Sequence, residues 1–298
     1  MAAFEGSIGL GTTFGYAVSG LLREAVGYAY VFLILMILHI SAFVYILFFT
    51  KEIIQNDASA NEIESNRNWL KSICGRFFDV ISLFTAPRNP HKFRLLIIVL
   101  AAFSIELLAY SGVSDILYSY FRLRLGWGDK EYGWFDGLGS GFNTLAVLAL
   151  YPYLHHSRNI SNATLTIFGT VSKMIFLLIL VFVWADWLAY LATIPSAFNR
   201  FISTGMRSLS TFYVTDSEQG KLFSLIALIE GVTGIIASLI FNGLYPLTLN
   251  FFSGTMIIAV LVAFFIPLVL MIYVKRTENK LEESNSSSHI SENVIENS

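Results

Sequence analysis

Six ionisable side chains, Glu5, Glu106, Asp136, Lys173, Arg207 and Glu230, stand inside long apolar runs of this chain. A charge at the centre of a bilayer costs at least roughly 2.5–3.5 kcal/mol, so such groups are retained for pairing or for function. Two chemistries fit a carboxylate there. It takes up and releases a proton at mildly acidic pH, because desolvation favours its neutral form. Alternatively it pairs permanently with Lys173 or Arg207 and holds helices together. For Glu106 and Glu230 both readings stay open. Lys173 reads as a structural counter-ion or an anion contact rather than a base. Asp115 and Asp186 lie near the ends of their runs and read as caps or solvated residues, and Asp129, Lys130 and Glu131 as an exposed loop.

The elements that must position these groups are membrane helices. Of 298 residues, 55% are apolar, 15% aromatic and only 13% charged, and the mean hydropathy is +0.64. A soluble domain carries about 25% charged residues. The composition predicts a polytopic all-α membrane protein. Spans of roughly 20 residues are expected near 2–22, 28–50, 94–118, 133–154, 163–184, 187–207, 222–243 and 250–273. Lys173 then sits about ten residues into its span and Glu230 about eight, roughly 15 and 12 Å deep. Glu106 lies in the middle of the third span, with Tyr110 one turn on along the same face. The first span is not a secretory signal, since it has no basic n-region and carries Glu5 near its start.

With Met1 inside, the inner segments 51–94, 155–162, 200–221 and the tail hold fourteen Lys and Arg, against Arg23, Arg122, Arg124 and Lys130 outside. The positive-inside rule therefore puts both termini and the long loop in the cytosol. The sequons at Asn159, Asn162 and Asn285 then face the cytosol and are expected to stay unglycosylated. The loop starts acidic and turns basic and aromatic from Arg67 to Arg94, either as a segment along the inner membrane surface or as a solvated linker. The tail from Lys275 is rich in Ser, Asn and Glu and reads as disordered.

Glycines mark close packing. Gly6, Gly9, Gly11, Gly15 and Gly20 line the first span, and Gly133, Gly137 and Gly141 recur every four residues in the fourth. Such spacing lets helix backbones approach closely. It places both helices at an interface, with each other as one option, and suits halves that slide past one another. One cysteine, Cys74, excludes an internal disulfide and a multi-cysteine metal site. His155 and His156 are too isolated for a metal and read as positive-inside anchors. No phosphate-cradling loop, zinc spacing, nucleophile elbow or triad signature is found. No metal, cofactor or enzymatic activity is expected, and neither an ATP-driven pump nor an intramembrane hydrolase is indicated.

Two runs carry a family likeness. Glu218-Gln219-Gly220-Lys221-Leu222-Phe223-Ser224, followed by the stretch from Ser238 through Asn242-Gly243-Leu244-Tyr245-Pro246 to Asn250, resembles the proton-coupled folate transporter family, solute carrier family forty-six of the major facilitator superfamily. Glu5 with its following glycines, Gly27-Tyr28-Ala29, Asp115-Ile116-Leu117 and the Trp127 to Gly133 stretch are similar too. The likeness reaches to about Val274 and is most specific in the last two helices.

The resemblance implies a major facilitator bundle of about eight helices, corresponding to helices five to twelve of a twelve-helix carrier. Residues 1–50 would be the end of an N-terminal half, 51–92 the cytosolic inter-half loop, 93–274 the six-helix C-terminal half and 275–298 the tail. It also implies alternating-access uptake of an organic anion, folate-like or peptide-like, with protons. Glu5 matches the family's proton-coupling carboxylate and Arg207 its substrate-binding and proton-binding arginine. Tyr110 stands where the folate member has a coupling histidine, which argues against folate itself. Glu106, one turn earlier, is expected to take over part of that coupling. The expected proton-coupling residues are thus Glu5, Glu106 and Glu230, and the expected substrate contacts Arg207, Tyr110 and Lys173. The expected partners are the bilayer, the anion and protons, with a second copy of the chain left open and no nucleic acid. The plasma membrane and an endosomal or lysosomal membrane fit equally. The rival expectation is a truncated, non-transporting membrane protein that acts as a scaffold or assembly competitor.

Overall fold

The computed structural model describes residues 2–49, Leu83 and 89–296, with side chains as far as Lys280 except that of Phe4. The described residues contain no strand. They form α1 (Ala2–Phe49), α2 (Pro90–Leu125), α3 (Asp129–Leu145), α4 (Asn162–Val181), α5 (Asp186–Ser196), α6 (Arg200–Phe212), α7 (Gln219–Thr248), α8 (Thr255–Ala263) and α9 (Phe265–Glu296). The loop expected at 51–92 lies outside the described residues except for Leu83 and its last four positions. Of these, Asn89 caps α2 by accepting from the His91 N–H at 3.0 Å, and Pro90 opens the helix.

Chain contacts divide the protein into two compact units, Met1–Ala17 with Pro87–Ser298, and Val18–Ala86. In the smaller unit the backbone leaves helical geometry at Gly27 (φ 79°, ψ 166°), a kink that separates two helices near the expected boundary between the first two spans. That backbone region is open to glycine and strained for other residues. Beyond the bend, side chains such as Phe32, Phe43 and Phe48 are exposed, as a lipid-facing helix requires.

In the larger unit, α2 packs along α7 and α4 along α6. Glycines set both approaches: a Cβ on Gly112 would fall 2.3 Å from the Phe241 ring, and one on Gly169 would fall 3.0 Å from Phe201 Cβ. The two glycine-rich spans do meet each other. Gly9 faces Thr144, and Gly137 lies against the backbone of Ala17. Thr12 and Thr13 share hydrogen bonds with Ser140 at 2.9 and 3.1 Å.

Among the described residues, five helical stretches are long and apolar enough to cross a membrane: Glu5–Phe49, Pro90–Leu125, Asn162–Val181, Asp216–Thr248 and Thr255–Lys280. The expected fourth and sixth spans fall short of that measure. The fourth is polar and glycine-rich over Asp129–Leu145, then continues as π-helical turns at Ala146–Leu150 and Tyr153–Ser157. The sixth is broken. Pro195 lacks an N–H and crowds the preceding turn, so the bonds from Ala197, Phe198 and Asn199 tighten to the carbonyls three residues back. The freed Arg200 N–H, first of the new helix, is met by Asn143 Oδ1 at 2.9 Å.

The tail departs from the expectation of disorder, for α9 continues to Glu296. After Pro267 it meets neither glycine nor proline, so nothing interrupts the hydrogen-bond ladder.

Candidate functional site

A cavity of about 550 Å³ opens among α1, α2, α3, α4, α6 and α7. All six expected site residues line it: Glu5 from α1, Glu106 and Tyr110 from α2, Lys173 from α4, Arg207 from α6 and Glu230 from α7. Asp136 from α3 joins them. Four carboxyl groups therefore share one space with three cations, because Arg200 also points in.

Glu5 is the hub. Its carboxylate is buried, with Oε2 3.3 Å from Arg200 Nη1 and Oε1 3.1 Å from Arg207 Nε. Arg207 also pairs through Nη2 with Glu230 Oε1 and lies 5.5 Å from the centre of the Phe103 ring. Arg200 is fixed further by bonds to the Glu5 carbonyl at 3.3 Å and to Thr12 Oγ1 at 3.2 Å. The carboxylate thus gains one charge-assisted hydrogen bond, from Arg200 to Oε2, while Oε1 has the Arg207 charge beside it but no hydrogen-bond partner among the described residues.

Glu106 and Lys173 form the second group. Both are buried, and Glu106 Oε2 has no hydrogen-bond partner among the described residues. The Lys173 ammonium lies 5.5 Å from the Tyr110 ring centre and 5.0 Å from that of Phe176, within cation–π range. Tyr110 itself is half exposed to the cavity. An acid with an open oxygen beside a cation on aromatic faces is suited to exchanging a proton or meeting an anion.

Arg200 was not among the expected site residues, since its position near a span end assigns it to the inner loop. The signal was present: Arg200 and Arg207 are seven residues apart, two turns on one helical face. The cavity-facing Asn199, whose Oδ1 is buried without a partner, and Asn143 likewise carried no mark in the sequence. Asp186, in the first turn of α5, accepts from Trp127 Nε1 at 2.8 Å, and His155 bonds the Ile160 carbonyl at 2.9 Å. Asp115 lies ten residues inside the end of α2 and accepts from Asn242 at 3.3 Å rather than capping, and Asp129, Lys130 and Glu131, expected in a loop, form the first turn of α3. The described residues contain no cluster of His, Cys, Asp and Glu able to hold a metal.

A bundle of glycine-packed helices around a charged cavity is the architecture of a solute carrier, and residues 1–198 match the family description "Major Facilitator Superfamily". The chain belongs to the major facilitator superfamily. That superfamily consists of carriers rather than enzymes, and this member is a multi-pass membrane protein. Within it the similarity is to solute carrier family 46. The human "Lysosomal proton-coupled steroid conjugate and bile acid symporter SLC46A3" is 25% identical over 255 residues, covering 85% of this chain and 54% of that protein. The chicken protein of the same name is 26% identical over 238 residues, 79% of this chain and 50% of its own. Mouse "Solute carrier family 46 member 2" is 25% identical over 270 residues, 86% and 54% respectively. This major facilitator chain spans about half the length of the curated relatives it matches.

Proposed function

We propose that the protein serves secondary active transport of an amphipathic organic anion together with protons. The observation that carries this reading is the single cavity shared by Glu5, Glu106, Asp136 and Glu230 with Lys173, Arg200 and Arg207. Its volume lies in the roughly 300–1,000 Å³ range of small-molecule sites. Tyr16, Tyr110, Tyr118, Phe135 and Phe176 supply apolar and aromatic wall between the charges, which suits a ring system bearing one acidic head. Proton-coupled symport of steroid conjugates and bile acids by the SLC46A3 relatives supports that cargo class over a folate-like or peptide-like one. It also supports an acidic organelle, the lysosome foremost, as the resident membrane; the excess of Lys and Arg on the inner segments supports both termini being cytosolic.

The division of labour follows from the geometry. Glu5 and Glu106 take up protons from the acidic side, Glu230 holds Arg207 in place, and the cations with Tyr110 receive the anion. An anion loaded with a proton crosses with less net charge than an anion alone, which lowers the cost of moving the loaded site through the membrane field. The test is uptake of radiolabelled cholate into proteoliposomes with an acidic exterior. Concentrative uptake that a protonophore collapses supports the reading. Uptake that is absent, or indifferent to the pH gradient, refutes it.

A further inference from the structure

The two arginines of α6 are not equivalent, and the difference identifies the anion receptor. Arg207 has two carboxylates, Glu5 and Glu230. Arg200 has Glu5 as its one carboxylate within ion-pair reach among the described residues. Neutralising Glu5 thus leaves Arg207 paired and Arg200 bare. The Arg200 guanidinium nevertheless stays aimed at the cavity, because Thr12 Oγ1 and the Glu5 backbone carbonyl still accept from it. Thr12 is in turn held by Ser140 at 2.9 Å. The backbone beneath the side chain is pinned by the Asn143 bond across the helix break.

We infer that Arg200 is the proton-gated anion receptor: a proton on Glu5 releases its guanidinium, which then binds the oxyanion head of the substrate, carboxylate or sulfate, in place of Glu5. This rests on the proposed anion–proton symport and names the residue that couples the two ions. The charge balances, since Glu5 gains one proton and the arriving head restores the single negative charge that Arg200 lost. The groups facing Glu5 are Arg200 and Arg207 from α6, Glu230 from α7 and Glu106 from α2, with Lys173 and Asp136 in the same cavity. Among these, Arg200 is the cation whose pairing depends on Glu5 alone, so the exchange is local to it. A planar fork that presents two donors is well matched to such a head.

The test is equilibrium binding of tritiated cholate, and separately of pregnenolone sulfate, to the purified protein in nanodiscs between pH 5 and 7.5. The wild type should bind about tenfold or more tighter at pH 5 than at 7.5, the ratio of one charge-assisted bond. Glu5→Gln should bind at pH 7.5 as the wild type does at pH 5. Adding Arg200→Gln should erase that gain; removing both partners of the pair spares the fold the lone buried charge that a single change leaves. Glu5→Gln with Arg200→Lys should recover only part of the affinity, and thermal melting checks that each variant is folded. A gain that survives in the folded Glu5→Gln, Arg200→Gln protein overturns the inference and passes the receptor role to Arg207 or Lys173. A wild type that binds neither probe at any pH refutes the symport reading itself, and with it this inference.

Discussion

Removing the Glu5 carboxylate should harm the fold far more than removing that of Glu230, although both pair with Arg207. The Glu5 side chain is 5% exposed and bridges two guanidiniums that are 16% and 12% exposed. Glu5→Ala therefore leaves Arg200 buried without a counter-charge, a defect worth about 3–5 kcal/mol. Glu230 is 35% exposed, and water screens what its loss uncovers, while Arg207 retains Glu5. Its removal should cost about 1 kcal/mol or less. At about 2 °C per kcal/mol for a chain of this size, Glu5→Ala should lower the melting midpoint by roughly 6–10 °C. Glu230→Ala should lower it by about 2 °C or less. The assay is dye-monitored melting of detergent-purified protein, with Glu5→Ala, Arg200→Gln as the closing corner of a double-mutant cycle. That pair should recover much of the loss, because the lone charge goes with its partner. Equal losses for Glu5→Ala and Glu230→Ala, or a double variant as unstable as Glu5→Ala, would refute the placement of Glu5 as the hub.

Glu106→Gln should flatten the pH dependence of uptake while leaving surface expression intact, since Glu106 Oε2 has no hydrogen-bond partner among the described residues and is open to a proton; a wild-type pH profile would remove Glu106 from coupling. Gly205→Leu should lower the yield of monodisperse protein and cost about 1–3 kcal/mol or more, because a Cβ there falls 2.0 Å from Thr166 Oγ1 and 3.1 Å from the Asn162 carbonyl. Gly11→Ala, with nothing within 4 Å of the new methyl, is the matched control and should be neutral or slightly stabilising. Tyr213, beyond the end of α6, is pushed above the ordinary tyrosine value by burial and by its hydrogen bond to Glu278. Its raised value means the contribution is complete below about pH 10 and is lost only as the phenol ionises. Tyr213→Phe should therefore cost about 1 kcal/mol evenly from pH 5 to 9 in a melting series, and a loss confined to acidic pH would contradict this.

Much of the site was legible because its residues violate their surroundings. Glu106, Lys173 and Glu230 stand out in apolar runs for the reason they must face a cavity, namely that lipid does not tolerate them. The glycine ladders of the first and fourth spans likewise announced an interface, and Gly137 against Ala17 is that contact. Other features were hidden because they depend on pairing in three dimensions. Arg200 looks like a loop charge until Pro195 breaks the sixth span and turns the next helix inward. Asn143 is an ordinary polar residue until that break exposes the N–H of Arg200. Composition misread the tail for a related reason. Polarity argues against a packed core but says little about helix formation in a segment continuous with an anchored helix.

Proton movement accompanying the anion tests the central claim most directly. Proteoliposomes loaded with a pH-sensitive dye, at equal pH on both sides, would be given external cholate at pH 5.5. The account predicts internal acidification in step with cholate entry by the wild type, and cholate movement without acidification by Glu5→Gln. Wild-type protein that accumulates cholate while the dye stays constant, or a Glu5→Gln variant that acidifies as the wild type does, would contradict it.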